Sequence, residues 1–300
     1  MSRRLAAVDV GSNTVHALVA DLEDGRLVDV DHFEEMPELG AEVDRTGRIG
    51  PAKTSEAIAA LEAVLAPART LGYERLVAGA TAAVRRAADR DEFLDRLSAA
   101  IGVPVRLIGE QREAELSFLG VASVHAAAHG WLMGDMGGGS TELVVAEGMR
   151  AVRWTSLPVG SGGLASRFLS DPPRPEEREA LRAAAAVALT GAPESEAEKL
   201  VMTGGTASNL PAVISGEQPP AVLTDRDLGE AIERLDSGPA AALAPRYGLQ
   251  EARVRALRGG AEVLLLLLAH YRLDRFHVSY AGLRQGMILA NVERGDDWWR

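Results

Sequence analysis

Short apolar runs ending in glycine-rich turns alternate along this chain with stretches whose apolar residues recur at helical spacing, the pattern of an α/β protein. Leu5–Val10 predicts a strand, the turn Gly11-Ser12-Asn13 follows, and Thr14–Asp21 and Arg26–Met36 predict two more strands. From Pro51 to Gly72 the residues Ile58, Leu61, Val64 and Leu65 share one helical face, and Gly72 supplies a stop. Leu76–Ala80 predicts a short buried strand and Val103–Ile108 another. Between them Asp91–Ile101 predicts a helix that groups Phe93, Leu94, Leu97 and Ile101. A helix from about Glu110 to Ala128 then turns Leu116, Leu119 and Val121 towards a core.

After that helix the pattern restarts. Trp131–Asp135 predicts a strand, Gly137-Gly138-Gly139-Ser140 a turn, and Glu142–Ala146 and Ala151–Leu157 two strands. Helices are expected near Ser161–Leu169 and Glu176–Leu189, then a strand Leu200–Thr203 that runs through Gly204-Gly205-Thr206 into a helix. Beyond the Pro219-Pro220 loop come helices near Asp225–Leu235 and Gln250–His270, a strand Phe276–Tyr280 and, through Gly282, a final helix. Leu264–Leu268 is more apolar than one helix face needs; it suits a buried core helix or a dimer contact, and the core is the preferred reading.

The restart carries a repeat. Asp9-Val-Gly-Ser-Asn-Thr14 and Asp135-Met-Gly-Gly-Gly-Ser140 share the form Asp-x-Gly-x-x-Ser/Thr, each between two strands. Two copies predict duplicated α/β domains facing each other across a cleft, 1–120 and 121–300. The join lies within or just after the Glu110–Ala128 helix, and the final helix is free to pack back on the first domain.

Composition narrows the partners. Three hundred residues suffice for two domains, and 47% hydrophobic with 25% charged residues are globular values. A net charge of −11 argues against coating nucleic acid or an anionic membrane, although a local cluster of cations can still hold an anionic substrate. The absence of cysteine excludes disulfides, zinc-thiolate sites and a thiol nucleophile, and fits a reducing compartment. Asp9 and the polar turn after it interrupt the opening apolar run too early for a signal peptide. The longest apolar run, Val263–Ala269, is far short of the roughly 20 residues that cross a bilayer. The expected location is cytoplasmic. Of the 32 basic residues only Lys53 and Lys199 are lysines, but a compositional bias explains the arginine excess as well as phosphate binding does.

A strand that ends in aspartate before a glycine turn sets a carboxylate beside several exposed backbone N–H groups. Those N–H groups form a concave site for phosphate oxygens, and the carboxylate can hold a hard cation such as Mg²⁺. Either turn alone is equally an ordinary β-hairpin corner; the matched pair favours phosphate. Neither a Gly-x4-Gly-Lys-Ser/Thr loop nor a Gly-x-Gly-x-x-Gly turn opening a helix is present. Gly204-Gly205-Thr206 is a third turn, read either as an anion site at a helix start or as a plain helix entry capped by Thr206 or Ser208. Pro158-Val-Gly-Ser-Gly-Gly163 is expected to be a structural loop. Taken alone, Glu113 beside Glu110 and Glu115 reads as a solvated carboxylate, and Arg85-Arg86 as a solvated pair. His16 is expected to pack in its strand, and His125, His129, His270 and His277 lack metal-ligand spacing.

Asp9-Val-Gly-Ser-Asn-Thr-Val-His16, Glu113-Ala-Glu-Leu-Ser-Phe-Leu-Gly-Val121, Asp135-Met-Gly-Gly-Gly-Ser-Thr-Glu142, Gly204-Gly-Thr206 and Gly282-Leu-Arg-Gln-Gly286 occur in that order. Together they resemble the exopolyphosphatase/guanosine pentaphosphate phosphatase family, within the superfamily of actin, sugar kinases and heat-shock chaperone ATPases. The resemblance runs from Ala6 to Ile288. It implies two ribonuclease-H-like (actin-like ATPase) domains with an interdomain cleft, a homodimer, and Mg²⁺ (or Mn²⁺) as cofactor. By resemblance Glu113 is the base that orients and deprotonates the attacking water, Asp135 supports the metal, and Glu142 is a second acidic residue of the catalytic centre. Gly137, Gly138, Gly139, Ser140, Ser12 and Asn13 match phosphate-cradling turns, and Arg85 in Ala80-Thr-Ala-Ala-Val-Arg85 matches a phosphate-binding arginine. As turn residues Gly11, Gly204, Gly205 and Thr206 join the phosphate set; Asp9, with Asp135 and Glu142, joins the metal set. The chain departs from the family at Ala82-Ala83, where the family is more polar, and at Gln285, where an acidic residue is common.

Four functions fit these residues. The first is release of the terminal phosphate from linear inorganic polyphosphate, and the second conversion of guanosine pentaphosphate to tetraphosphate. Aromatic residues are 4% of the chain and none lies in a glycine motif, so base stacking has no evident platform and polyphosphate is preferred. The chain lacks the extra helical domain of longer family members, which points to shorter polyphosphates. An ATP-dependent sugar or acid kinase would need an acceptor other than water, which Glu113 argues against. A non-enzymatic phosphate or nucleotide sensor would have no need to keep Glu113, Asp135 and Glu142 together.

Overall fold

The computed structural model describes residues 3–125, 130–215 and 220–300. The end of the predicted Glu110–Ala128 helix, His129 and Pro219 lie outside the described residues. Contacts divide the chain into two compact units, Met1–Val124 with Ala281–Arg300, and His125–Tyr280.

The first unit opens with a meander, β1 (Arg3–Val10), β2 (Val15–Glu23) and β3 (Arg26–Glu35), each strand antiparallel to the last. Then follow α1 (Leu39–Thr46), α2 (Gly50–Leu71), β4 (Arg75–Ala80), α3 (Ala82–Arg86), α4 (Arg90–Ile101), β5 (Val105–Leu107) and α5 (Glu110–Ala122). The sheet order is β3-β2-β1-β4-β5, with β4 parallel to both β1 and β5. Alternation along β1 sends Val8 and Val10 to a core with Leu61 and Leu65 of α2 and Phe93 and Leu97 of α4. Leu5 and Ala7 face the other way, towards Ile108 and Leu116. Asp9 shares their parity, so its side chain lies on the α5 face of the sheet.

The second unit repeats the plan. Its meander is β6 (Gly130–Met136), β7 (Thr141–Glu147) and β8 (Arg150–Leu157), followed by α6 (Ser161–Phe168), α7 (Pro175–Leu189), β9 (Leu200–Thr203) and α8 (Gly205–Ser215). It continues through β10 (Val222–Thr224), α9 (Asp225–Asp236), α10 (Ala240–Tyr247), α11 (Glu251–Tyr271) and β11 (Arg275–Val278). The order β8-β7-β6-β9-β11 matches that of the first sheet strand for strand, with β10 added antiparallel at the edge. Leu264, Leu267 and Leu268 of α11 are buried in this unit's core, which answers the question posed by that leucine run.

The chain then re-enters the first unit as α12 (Leu283–Arg294) and a short turn of helix, Gly295–Asp297. Backbone meets backbone where α12 crosses α5. A Cβ on Gly120 would lie 1.9 Å from the Gly282 carbonyl oxygen, and one on Gly286 1.8 Å from that of Leu116. Three short helices, α1, α3 and α10, and the strand β10 have no counterpart in the sequence reading, and α5 stops at Ala122. No helix among the described residues is long and apolar enough to cross a membrane.

Candidate active-site residues

In the first unit the β1–β2 corner is closed by the Gly11 N–H donating to the Thr14 carbonyl at 2.8 Å. Helix α1 supports it from outside, the Gly40 and Glu38 N–H groups donating to Ser12 O at 2.7 Å and Asn13 O at 3.0 Å. Glycine at 40 lets α1 lie close against the corner; a Cβ there would come 3.1 Å from Ser12 Cβ, a tight contact. Ser12 is 5% exposed and its hydroxyl has no hydrogen-bond partner among the described residues. An unsatisfied buried hydroxyl costs about 1–3 kcal/mol, so Ser12 is a stability cost at this corner as it stands.

Glu113 and Arg85 come together. Glu113 is 7% exposed in the first turns of α5, and its carboxylate is paired with the Arg85 guanidinium. The same Arg85 Nη1 donates to the Ile108 carbonyl at 2.9 Å. Thr81 N–H donates to Val10 O, and Arg85 N–H to Thr81 O, so α3 starts directly from the end of β4 and is tied there to the end of β1. The solvated readings are therefore set aside for both residues. Arg86 is exposed instead and pairs with Asp44 at 2.7 Å.

His16 does more than pack in its strand. It stands opposite Asp9 in the β1–β2 register. Arg284 Nη1 lies 2.6 Å from its Nδ1, and its Nε2 is 2.7 Å from a Glu34 carboxylate oxygen. A guanidinium only donates, so Nδ1 is the accepting nitrogen toward Arg284. Gln285 explains its own departure from the family pattern. Its Nε2 donates to Asp29 at 2.9 Å and its Oε1 accepts the Gly282 N–H at 3.0 Å. An acidic side chain there would meet the Asp29 carboxylate.

In the second unit Asp135 is the penultimate residue of β6, opposite Glu142 on β7 and beside Thr203 on the parallel β9. Asp135 is partly exposed; Glu142 is 1% exposed and accepts the Ser156 hydroxyl at 2.7 Å. Gly137 N–H donates to Ser140 O at 3.0 Å, which curls the turn. Gly204, at φ +91°, passes close to Asp135; a Cβ there would lie 2.8 Å from Oδ1 and 2.4 Å from Met136 O. The third glycine turn, Gly204-Gly205-Thr206, therefore adjoins the Asp135 corner.

One feature of this corner sharpens the sequence reading and one escaped it. The loop at 158–163, read as structural, is built into the glycine turn: Ser161 and Gly163 N–H groups donate to Gly137 O at 3.0 Å and Gly138 O at 2.9 Å. A Cβ on Gly160 would come within 2.5 Å of Gly138 C and Gly139 N. The second is Arg253 of α11, 4% exposed, whose Nη1 would be 2.3 Å from a Cβ at Gly205. Its signal was faint, one of three arginines (Arg253, Arg255 and Arg258) ahead of Gly259-Gly260; those glycines admit Ser161 and Thr206 against the same helix.

The residues available for a metal are Asp135 and Glu142 in one unit and Asp9 in the other. Among the described residues no group of three or more His, Asp or Glu side chains could hold a metal ion. Two neighbouring carboxylates nevertheless fit Mg²⁺, which keeps several waters and takes further oxygens from substrate phosphates.

The profile of the Ppx/GppA phosphatase family matches residues 18–294. Exopolyphosphatase 2 of Mycobacterium tuberculosis is 34% identical over 320 residues, covering 96% of this chain and 98% of that protein. The crystal structure of the Aquifex aeolicus member of the Ppx/GppA protein family superposes with a TM-score of 0.79 at 27% identity over 99% of each chain. An exopolyphosphatase from Cytophaga hutchinsonii, 22% identical, shares the fold with a TM-score of 0.84 over 97% of this chain and 98% of that one. Fold and likeness define a phosphoanhydride hydrolase built on two actin-like ATPase domains. The chain belongs to the Ppx/GppA phosphatase family.

Proposed function

We propose that this chain is an exopolyphosphatase that hydrolyses the terminal phosphate of linear inorganic polyphosphate, favouring short chains, with Mg²⁺ and with Mn²⁺ as a substitute. The observation that carries the reading is the Glu113–Arg85 pair, a buried carboxylate against a largely covered guanidinium near the Asp9 strand. Likeness to the mycobacterial exopolyphosphatase supports the substrate class.

Phosphoryl transfer to water passes through a loose transition state, so positioning and charge neutralisation matter more than base strength. Glu113 accepts the proton of the attacking water and orients it. Arg85 neutralises charge on the phosphoryl oxygens. Gly11, Ser12 and Asn13, with Gly137, Gly138, Gly139 and Ser140, present backbone N–H and hydroxyl donors to phosphate oxygens, and Gly204, Gly205 and Thr206 do the same at the start of α8. Asp135 and Glu142 would hold the metal, and Asp9 is the carboxylate that the first unit offers; when bound, the metal would supply positive charge to the phosphate oxygens. A homodimer and a cytoplasmic location belong to the same proposal.

The test is phosphate release from short polyphosphate, long polyphosphate, guanosine pentaphosphate and ATP, each with Mg²⁺, Mn²⁺ or chelator. Short polyphosphate should turn over fastest, and chelation should stop it. Faster turnover of guanosine pentaphosphate would instead make the chain a guanosine pentaphosphate phosphohydrolase. Transfer from ATP to a small acceptor would make it a kinase, and binding without turnover a sensor.

A further inference from the structure

Glu113 sits at a fragile place. Helix α5 opens at Gly109, which offers no side-chain cap, and the Glu113 N–H to Gly109 O bond of 2.8 Å is the helix's first backbone bond. The N–H groups ahead of it have no intrahelical acceptor, so an uncapped first turn frays readily. A base on such a turn needs an outside hold.

That hold comes from far along the sequence. Arg112, the residue before Glu113, is 9% exposed. It aims Nε and Nη2 at one oxygen, the Trp298 carbonyl, at 3.0 and 2.5 Å, while Nη1 reaches Glu115 at 3.0 Å. Trp298 is itself fixed. Its side chain is 4% exposed in the cluster that contains Leu5, Ile108, Leu116 and Met287. Asn291 Nδ2 bonds Gly295 O at 2.7 Å and steadies the turn leading to it. Ile108 in that cluster is the residue whose carbonyl receives Arg85. The Trp298 segment thus braces both sides of the Glu113–Arg85 pair.

We infer that Arg112 and Trp298 form a clamp that positions Glu113 for attack, Arg112 acting as a positioning residue that touches no substrate. The inference rests on Glu113 being the base of the proposed hydrolysis. Consecutive helical residues share a backbone but face about 100° apart, so anchoring Arg112 on a buried carbonyl fixes the Cα of Glu113 while leaving its carboxylate to Arg85. Misplacement of a catalytic group by about 1 Å can cost about 100-fold in rate.

Arg112→Met tests the clamp, with Arg112→Lys as the conservative rescue and Glu115→Gln as a control that removes only the Nη1 partner. Steady-state phosphate release and amide hydrogen exchange across 110–114 are measured on the full chain. Arg112→Met should lower kcat by about 10- to 100-fold with little change in KM, and should speed exchange at the Glu113 amide. Arg112→Lys should recover part of both, and Glu115→Gln should resemble the unsubstituted chain. Unchanged kcat, or unchanged exchange at Glu113, in a folded Arg112→Met protein would overturn the clamp. If the unsubstituted chain released no phosphate, the hydrolase reading would fall separately, and exchange at Glu113 alone would decide whether the brace exists.

Discussion

Replacing Glu113 by Gln keeps the size of the side chain and removes its capacity to take a proton. A general base typically contributes 10²–10⁴ in rate, so kcat for phosphate release should fall by roughly that factor with KM nearly unchanged. Steady-state kinetics on short polyphosphate checks it, and a kcat within twofold of the parent would remove Glu113 from the mechanism. Arg85→Met asks a different question. It strands the buried Glu113 carboxylate, and breaking a buried pair from one side costs about 3–5 kcal/mol. The denaturant midpoint should therefore drop along with kcat. The two substitutions separate chemistry from support at one ion pair. What the sequence showed of this pair was uneven. Glu113 stood among Glu110 and Glu115, and nothing local marks it as the buried one. Its burial depends on Arg85, 28 positions earlier, which no periodicity can reveal. The family motif, not the pattern, singled it out.

At the scale of elements, long periodic stretches were legible and short ones were not. The face of Leu61, Val64 and Leu65 fixed α2 to within a residue of its observed ends. The short α1 and α3 span too few turns for a repeat to show, and it is tertiary contact with the β1–β2 corner and with the end of β1 that forms them. Arg258 and Glu262, buried in α11, were equally hidden, because their reasons for burial are Asp171 and the pair Arg178 and Arg182 on other segments. Helix α2 carries a pH prediction. Its first N–H groups, on Ile49 and Gly50, donate to the Asp89 carboxylate at 2.9 and 2.8 Å. Burial pushes that carboxyl up, but the Ile49 and Gly50 donors, Asp89's own backbone N–H and the Arg48 charge together outweigh it and hold it below the ordinary range. A depressed folded value stabilises the protein above the unfolded value near 3.9, and that contribution fades as pH falls through the folded one. Asp89→Asn keeps an acceptor but loses the charge, so it should cost about 0.3–1 kcal/mol at neutral pH, and the gap from the parent should close as pH falls below about 4. Urea titrations across that range would show it; a gap independent of pH would mean that the charge is not what caps α2.

The whole molecule bears out the duplication read from two short motifs. Both sheets run hairpin, hairpin, then parallel strands in the same order, and each Asp-x-Gly-x-x-Ser/Thr corner lies at the same place in its sheet. Pairing of like corners is a local signal, so it survives in sequence. The interruption of the first unit by the second does not, because it is settled by where Leu283, Met287 and Trp298 find apolar partners. That interruption yields a sharp prediction for a chain ending at Tyr280. Leu283, Met287, Ile288 and Trp298 would be removed from a cluster shared with Leu5, Ala7, Leu18 and Leu116. Large buried side chains contribute about 1.5–3 kcal/mol each, so the loss is about 6–12 kcal/mol, comparable with the 5–15 kcal/mol stability of a typical domain. Leu116 and Gly120 would also lose the backbone of α12 against which they close. Hydrogen exchange should then find β1, β2 and β4 unprotected. The strands β6, β7 and β9, whose unit is one unbroken stretch of chain, should keep their protection. Equal protection of β1 in the shortened and full chains would mean that the segment from Ala281 onward decorates the first unit rather than completing it.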